Sequence, residues 1–452
     1  MNLLRLSSLT DDQKRVFSHL RGVATQRLGP DEELSAYYQG AQRLEQLGIA
    51  VPPDLRHFET IVNWPATVVD EIERRLDVKG FVTPGENEAD KALLEGWDIN
   101  NLESESPLHH RETMILGRGF VSVGSNEDDP QHPLIRVEPP SEVVCAIDAR
   151  RRSMLGALRS YKNWNGEKCQ ALMLPDVTIW ARNTSSGWVI EDRDDHRLGR
   201  VPLVLFLNRR RAGEWLGTSE MAATIPLTNA AARALTDLQL AVETHAVPAK
   251  YVFGVDPKKM VDPDTGEPVT QWEAYYTNFM AHADKDVKAG QFEAADLKNF
   301  TGVINHYGVL VSSVTGLPLS YFTNSTVNPP AEGAVYAYSE RVVKNVERKQ
   351  VEWGDGWSWV AALYERFRTG VWPDGNRIRT EWHNAATPTI AQREDALQKR
   401  YAAGVISREG YWDELGWSEA RKAQERTRLA SEAQDPLLDK IAAGMNDDGQ
   451  AA

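Results

Sequence analysis

The side chains of this chain that could do chemistry fall into a few small groups. Asp192, Asp194 and Asp195 put three carboxylates within four positions. A pair of acids beside an aromatic platform is what a carbohydrate-acting hydrolase needs, and fourteen tryptophans could supply platforms. Against that, Trp64, Trp97, Trp353 and Trp357 lie in helical patterns, where large aromatics fill cores and subunit interfaces. The aspartates read as a solvated cluster in a polar turn. His109 and His110 form the one adjacent histidine pair and precede Arg111 in a predicted helix; they read as partly exposed helix residues. Asp262, Asp264 and Glu267 could begin a calcium loop, but Pro263 and the missing later ligands spoil the spacing, so a turn is the better reading. The triplet Arg209-Arg210-Arg211 could face DNA, although ion pairing at the surface or between subunits carries more weight.

Other chemistries are missing from the sequence. No GxxxxGK[ST], GxSxG or HExxH occurs, which removes the phosphate-binding loop of an ATPase and the commonest hydrolase and zinc signatures. Cys145 and Cys169 lack CxxC spacing and read as reduced, structurally indifferent thiols. No catalytic residue, metal or cofactor is expected. The net charge of −14 also bears on partners. Gripping nucleic acid relies on clustered Lys and Arg that neutralise phosphates, so if this chain deals with DNA it is better suited to letting DNA pass than to holding it. No run of eighteen apolar residues predicts a membrane helix. The start, Met1-Asn2-Leu3-Leu4-Arg5, lacks the apolar core of a signal peptide, so export is not expected.

The elements that must position these groups follow from periodicity. With 452 residues the chain is long enough for two to four structural units. Residues 1–80 read as helical; Trp64, Val68, Ile72 and Leu76 recur every fourth position. Residues 97–116 predict a further helix and 117–123 a strand, with strands again at 135–140, 157–162, 172–180 and 201–207. A long helix opens near Gly217, its first turns interrupted by Pro226 and its end set by Pro248. After a poorly patterned stretch, Phe300, Ile304, Tyr307, Val311 and Val314 form a second helical stripe. Gly316 and Pro318 end it, glycine because it suits a left-handed C-cap. The loop from Leu319 to Val327 carries no charge. Asn328 and Pro329 then suit the start of another long helix. Past Gln350 the chain turns aromatic, 377–382 reads as a strand returning to the first unit, and 389–403 and 411–429 read as helices. The last fifteen or so residues look disordered.

Several blocks of this order resemble the portal proteins of tailed bacteriophages, in the group typified by phage SPP1 and found in many phages of actinobacteria. The resemblance rests on Tyr37-Tyr38-x-Gly40, on Asn63-Trp64-Pro65 followed by Val68-Val69-Asp70 and Gly80-Phe81, and on Trp97, Asn100, His110, Gly117-Arg118 and Val121. It continues through Gly199-x-Val201-Pro202, Thr315-Gly316-Leu317-Pro318 and Asn328-Pro329. The stretch Pro330-Ala331-Glu332-Gly333 departs from relatives, which favour small residues and a serine there.

The resemblance implies an α+β portal-type fold: a mixed α/β wing (1–217), a first stem helix (218–247) and a small α/β clip (248–293). A second stem helix (294–315), a channel loop (316–328), a long kinked helix with a return to the wing (329–386) and a helical crown with a disordered tail (387–452) complete it. It implies a ring of about twelve copies at one capsid vertex. Its other implied partners are the terminase large subunit, head-completion or connector proteins, and the major capsid and scaffold proteins. Double-stranded DNA would pass the loop residues Tyr321, Phe322, Thr323, Asn324, Ser325, Thr326 and Asn328 without sequence-specific binding. Asp262, Asp264, Glu267 and Trp272 would serve the clip's partner contacts, in a virion protein made in the host cytoplasm with no membrane association. The alternatives are a carbohydrate-acting hydrolase and another phage head structural protein.

Overall fold

A computed structural model describes residues 4–5, 9–42, 61–86, 88–185, 187–245, 250–253, 288–291, 298–323, 332–373, 378–386 and 390–433. These fall into two units divided between Ala385 and Ala386. The expected disordered tail and most of the expected clip lie outside the described residues.

The first unit opens with β1 (Leu4–Arg5) and α1 (Asp11–Gln39). Thr10 and Gln13 start α1 with a reciprocal capping box, and Gly40 at φ +67° ends it. Next come α2 (Trp64–Glu73), β2 (Val78–Val82), α3 (Lys91–Ile99) and α4 (Leu102–Leu116). The single helix predicted over 97–116 is thus two, broken where Asn101 takes a left-handed conformation. Strands β3 (Arg118–Gly124), β4 (Leu134–Glu138), β5 (Val143–Asp148), β6 (Ser153–Lys162), β7 (Lys168–Met173), β8 (Thr178–Thr184), β9 (Gly187–Asp194) and β10 (Leu203–Leu207) follow.

Strands β5 to β9 make an antiparallel meander in the order β1-β9-β8-β7-β6-β5, and β10-β3-β4 form a second antiparallel sheet. Two stretches of this meander read differently in the sequence. The loose alternation of 172–180 is the end of β7, a turn at 174–177 and the start of β8. The acids at 192–194 belong to β9, not to a polar turn. Both faces of the meander are covered. Phe17 and Leu20 of α1 pack on Val144, Leu158, Leu172, Ile179 and Ile190. On the other side Phe120, Val201 and Leu203 meet Val143, Ala157, Ala171 and Met173. That double burial explains why every residue of β7 except Lys168 is buried. Cys145 and Cys169 stand on β5 and β7 with β6 between them, too far apart for a disulfide.

The remainder of the first unit is helical. Helix α5 (Ile225–His245) and helix α6 (Lys298–Thr315) pack against each other, and the two-stranded ribbon of β11 (Lys250–Phe253) and β12 (Lys288–Gln291) lies between them in sequence. Pro226 sits in the first turn of α5 rather than interrupting a helix begun at Gly217, because a missing N–H costs nothing there. Helix α7 (Glu332–Thr369) runs 38 residues, continuing through the aromatic stretch past Gln350. Its Trp353, Trp357 and Tyr364 form the centre of the largest core, with Phe206, Trp97 and Ile72. The return strand β13 (Arg379–Trp382) pairs antiparallel with β2, Thr380 opposite Phe81.

The second unit contains α8 (Ile390–Ala402), α9 (Arg408–Glu414) and α10 (Glu419–Ala433). Ser407 caps α9, and Trp412 stacks on Trp417 with ring centroids 5.6 Å apart. Arg426 holds Glu409 through two hydrogen bonds of 2.8 and 2.7 Å. The single helix predicted at 411–429 is therefore two, parted by a left-handed Gly416.

Close approach of β3 to α4 depends on Gly119. A Cβ there would lie 1.9 Å from Thr113 Oγ1 and 2.6 Å from His109 Cε1. Gly119→Ala is predicted to cost about 1–3 kcal/mol in urea unfolding, the usual range for overpacking a filled site. An unchanged midpoint would contradict this packing.

Candidate functional site

The predicted loop residues are only partly within the described chain. Asn324, Ser325, Thr326 and Asn328 lie outside it, as do the clip residues Asp262, Asp264, Glu267 and Trp272. What is described is the base from which the loop departs. Gly316 takes φ +76° and donates to the Ser312 carbonyl at 2.9 Å, which ends α6 as the sequence predicts. Ser312 Oγ donates to the Leu317 carbonyl at 2.7 Å, and Leu317 is buried. A short 3-10 turn, Leu319–Tyr321, follows, closed by N–H groups of Phe322 and Thr323 donating to the Leu319 carbonyl.

Phe322 then turns inward. It is 8% exposed and meets Trp64 edge-on, with centroids 6.3 Å apart. Among the predicted loop residues it acts as an anchor, while Tyr321 is exposed and Thr323 half-buried. Gly308 of α6 makes room for this return: a Cβ there would stand 2.6 Å from Thr323 Cγ2. The loop leaves a fixed root.

Two groups of chemistry-bearing residues brace the helices around that root. The first is an ion cluster. Glu220 is 1% exposed and accepts from Lys349 Nζ at 2.8 Å, from Arg209 Nε and Nη2 at 2.9 and 2.8 Å, and from Asn208 Nδ2 at 3.0 Å. Asn208 Oδ1 also accepts from Lys349. Burial alone would raise the Glu220 carboxyl, but Lys349 and Arg209 outweigh it and hold it at about 2. Arg209 thus serves an ion pair within the chain. Arg210 lies over the Trp215 ring at 4.1 Å and Arg211 approaches Glu214 at 3.8 Å, so each arginine of the triplet has a neighbour in its own chain. The sequence pattern marks the arginines but not Glu220 or Lys349, whose partner is 129 residues distant.

The second group is histidine and tryptophan. His109 and His110 are fully buried, not partly exposed as their polar neighbours predict. His110 Nε2 accepts from Trp357 Nε1 at 2.9 Å and its ring stacks on Trp353 at 5.3 Å. His109 meets Phe206 edge-on at 4.2 Å. Burial pushes His110 down to about 3 and His109 well below its ordinary value, so both are neutral. Neutral, buried and packed among aromatics, they hold α4 to α7. Among the described residues no cluster of His, Cys, Asp or Glu could hold a metal ion.

Elsewhere, the two sheets enclose a cleft of about 710 Å³. It brings Asp192 and Asp194 beside Trp180 and Tyr161, while Asp195 pairs with Arg193 at 2.9 Å. The sequence favours a solvated cluster in a polar turn for these carboxylates; the strand pairing of β8 with β9 instead sets Asp192 opposite Trp180.

Comparison with known proteins agrees with the order of the blocks. The family described as phage portal protein, SPP1 Gp6-like, matches residues 24–436. A portal protein of Mycobacterium phage D29 is 35% identical over 406 residues, covering 87% of this chain and 83% of that protein. A portal protein of Mycobacterium phage L5 is 34% identical over 408 residues with the same coverage. Among solved structures, a chain from the virion of a native gene transfer agent particle gives a TM-score of 0.48 at 13% identity, over 85% of this chain and 99% of that one. A chain from the neck of the empty particle gives 0.48 at 15%, over 85% and 98%.

Two outcomes test the bracing groups. Lys349→Met leaves a buried carboxylate short of its partner and is predicted to cost about 3–5 kcal/mol in urea unfolding; a loss below about 1 kcal/mol would contradict the cluster's role. The histidines make the fold sensitive to acid. Their folded pKa values are depressed, so below pH 6.5 the unfolded chain takes up protons that the native core refuses. Stability should fall by about 1.4 kcal/mol per pH unit for His110 from pH 6.5 down to about 3. Glu220 adds a further loss from pH 4.5 toward 2. A His110→Gln variant should show a shallower slope between pH 7 and 5, and an equal slope would contradict the assignment.

Proposed function

We propose that this chain, which belongs to the SPP1 Gp6-like family of phage portal proteins, closes into a ring of about twelve copies around a central channel. The chain is a phage portal protein, with a structural and not an enzymatic role. In the proposal the ring occupies one vertex of the capsid, passes double-stranded DNA inward during packaging and outward at ejection, and docks the terminase large subunit and later connector proteins. Capsid and scaffold proteins would surround it during assembly in the host cytoplasm.

One observation carries the ring. Beyond Lys298, helix α6 has no Asp, Glu, Lys or Arg at all. Its outer face nevertheless shows Val303 at 45%, Val309 at 45% and Val314 at 49% exposure. A helix face that is open in one chain yet free of charge is suited to burial against another copy. In a closed ring each copy covers the next by a heterologous contact. Helix α6 ends at the anchored loop root, so the same packing would set a circle of loops around the axis. With a net charge of −14 per chain, the ring repels phosphate and offers DNA no deep electrostatic well. Tyr321, Thr323, Asn324, Ser325, Thr326 and Asn328 would then touch the duplex at short range, with Phe322 holding the root. The clip residues Asp262, Asp264, Glu267 and Trp272 remain proposed contacts of the packaging and connector proteins.

The hydrolase reading is set aside. The cleft with Asp192, Asp194 and Trp180 has the ingredients of a sugar site, but family membership makes this a structural protein, and the cleft takes another role below.

Val309→Glu is predicted to abolish oligomers in mass photometry while leaving the circular dichroism of the monomer unchanged. Oligomers of unchanged size and midpoint would overturn the role of α6. Replacing Asn324, Ser325 and Thr326 together with Lys is predicted to slow or stall DNA packaging; unchanged packaging would overturn the channel assignment.

A further inference from the structure

The most exposed large apolar side chain described is Trp164, at 93%. It stands at the tip of the hairpin joining β6 and β7, in the turn Asn163-Trp164-Asn165-Gly166. An isolated exposed hydrophobe needs no explanation, but this one is held out by a braced turn. Asn163 N–H donates to the Glu167 carbonyl at 3.0 Å, and Asn163 Oδ1 accepts from Asn165 N–H at 3.1 Å and Glu167 N–H at 2.9 Å. Gly166 closes the turn at φ +77°, with its N–H on the Asn163 carbonyl at 2.9 Å. Glu167 is held in turn by Arg182 of β8 through bonds of 2.9 and 3.1 Å. The indole is therefore presented on a rigid support, so little ordering is left to pay on contact. Lys162 and Lys168 face each other across the hairpin just behind it. Both are exposed, and among the described residues neither forms an ion pair.

The 710 Å³ cleft between the sheets is the complement of this tip. Met173 and Trp180 are among its apolar lining, and Glu127, Asp128, Asp192 and Asp194 bring carboxylates to it. Among the described residues none of these four is held in an ion pair. Of the cleft's guanidinium groups, Arg159 is occupied by Glu138 and Glu142 and Arg193 by Asp195. Arg136 is left, and an indole face is a good partner for a guanidinium. An indole takes up well under half of such a volume, leaving room for the flanking lysines at the mouth.

We infer that the Trp164 hairpin tip of one copy docks in the cleft between the β5–β9 meander and the β10-β3-β4 sheet of the next copy. The tip and the cleft are different surfaces of the same chain, so the contact is heterologous and propagates from copy to copy, as a ring requires. This rests on the ring reading above and specifies a second contact for it, far in sequence from α6. The attraction between Lys162 or Lys168 and the cleft acids would favour docking at low salt and steer the approach.

The test mixes two full-length variants carrying different affinity tags, Asn165→Cys, which keeps the Trp164 indole and the backbone brace of the turn, and Asp128→Cys, under mild oxidation. A disulfide joining the two tags can form only between copies; buried Cys169 and the sheet-embedded Cys145, whose thiol burial pushes up to about 12, make poor competitors. The expected result is a cross-link between tags in the oligomer fraction, absent when Asn165→Cys is mixed with the unmodified chain. Trp164→Ala, with the cleft intact, should shift the assembly midpoint at least tenfold to higher concentration. Lys162→Glu with Lys168→Glu should do the same, with partial recovery when Asp192→Lys and Asp194→Lys are added. Oligomers that form normally with no cross-link and no shift for Trp164→Ala would overturn this contact while leaving the ring in place. A monomer under every condition would remove both. A Trp164→Ala variant that assembles normally but no longer enters particles would also overturn it, by assigning the tip to a different head protein.

Discussion

A carboxylate taken out of water must be paired, and the position of Glu220 commits three parts of the chain to one arrangement. Its partners come from the end of β10 and from the middle of α7, while its own backbone N–H donates to Met114 at the end of α4 at 2.8 Å. Five residues later α5 begins. The sheets, the first of the paired helices and the long helix therefore share a single registration. The histidine and tryptophan core reinforces the same alignment from one side, since His110 binds Trp357, about one turn along α7 from Lys349's neighbour Trp353. Loosening one joint would move the loop root, because α6 joins the core through Val311 and the root itself through Leu317 and Phe322, alongside Val342 of α7.

This rigidity gives the proposed channel its logic. A loop that contacts a moving duplex needs a fixed root and a free middle. Phe322 against Trp64 supplies the first. The uncharged sequence from Leu319 to Val327 suits the second, because it offers short contacts without a charge that would hold phosphate. In the proposed ring, the open, uncharged face of α6 and the presented Trp164 are two parts of one requirement, that each copy be completed by its neighbours.

Much of this was legible in the sequence where the signal is local. Gly316 ends α6 and 379–382 returns as a strand because helix stops and short β segments carry their own chemistry. Apolar periodicity runs through the breaks at left-handed Asn101 and Gly416, so the sequence predicts a single helix at each where the structure has two. The loop was legible as an uncharged interval, whereas the inward turn of Phe322 was not, because its partner Trp64 is more than 250 residues earlier. His109 and His110 misled for a related reason. Flanked by Arg111 and Glu112 they look solvated, yet one helix face presents both to tryptophans from α7. Glu220, Lys349 and the cleft beside β9 depend on long-range pairing that no single stretch records. Family resemblance reached the architecture by another route, through the order of its blocks.

The central claim is that the chain functions as a closed ring, and electron microscopy of the purified protein over a range of concentrations tests it most directly. The account predicts rings with a central hole, in which α6 of each copy lies against the next and the 316–328 loops circle the opening. Particles that remain compact monomers at every concentration, with the outer face of α6 open to solvent, would contradict it.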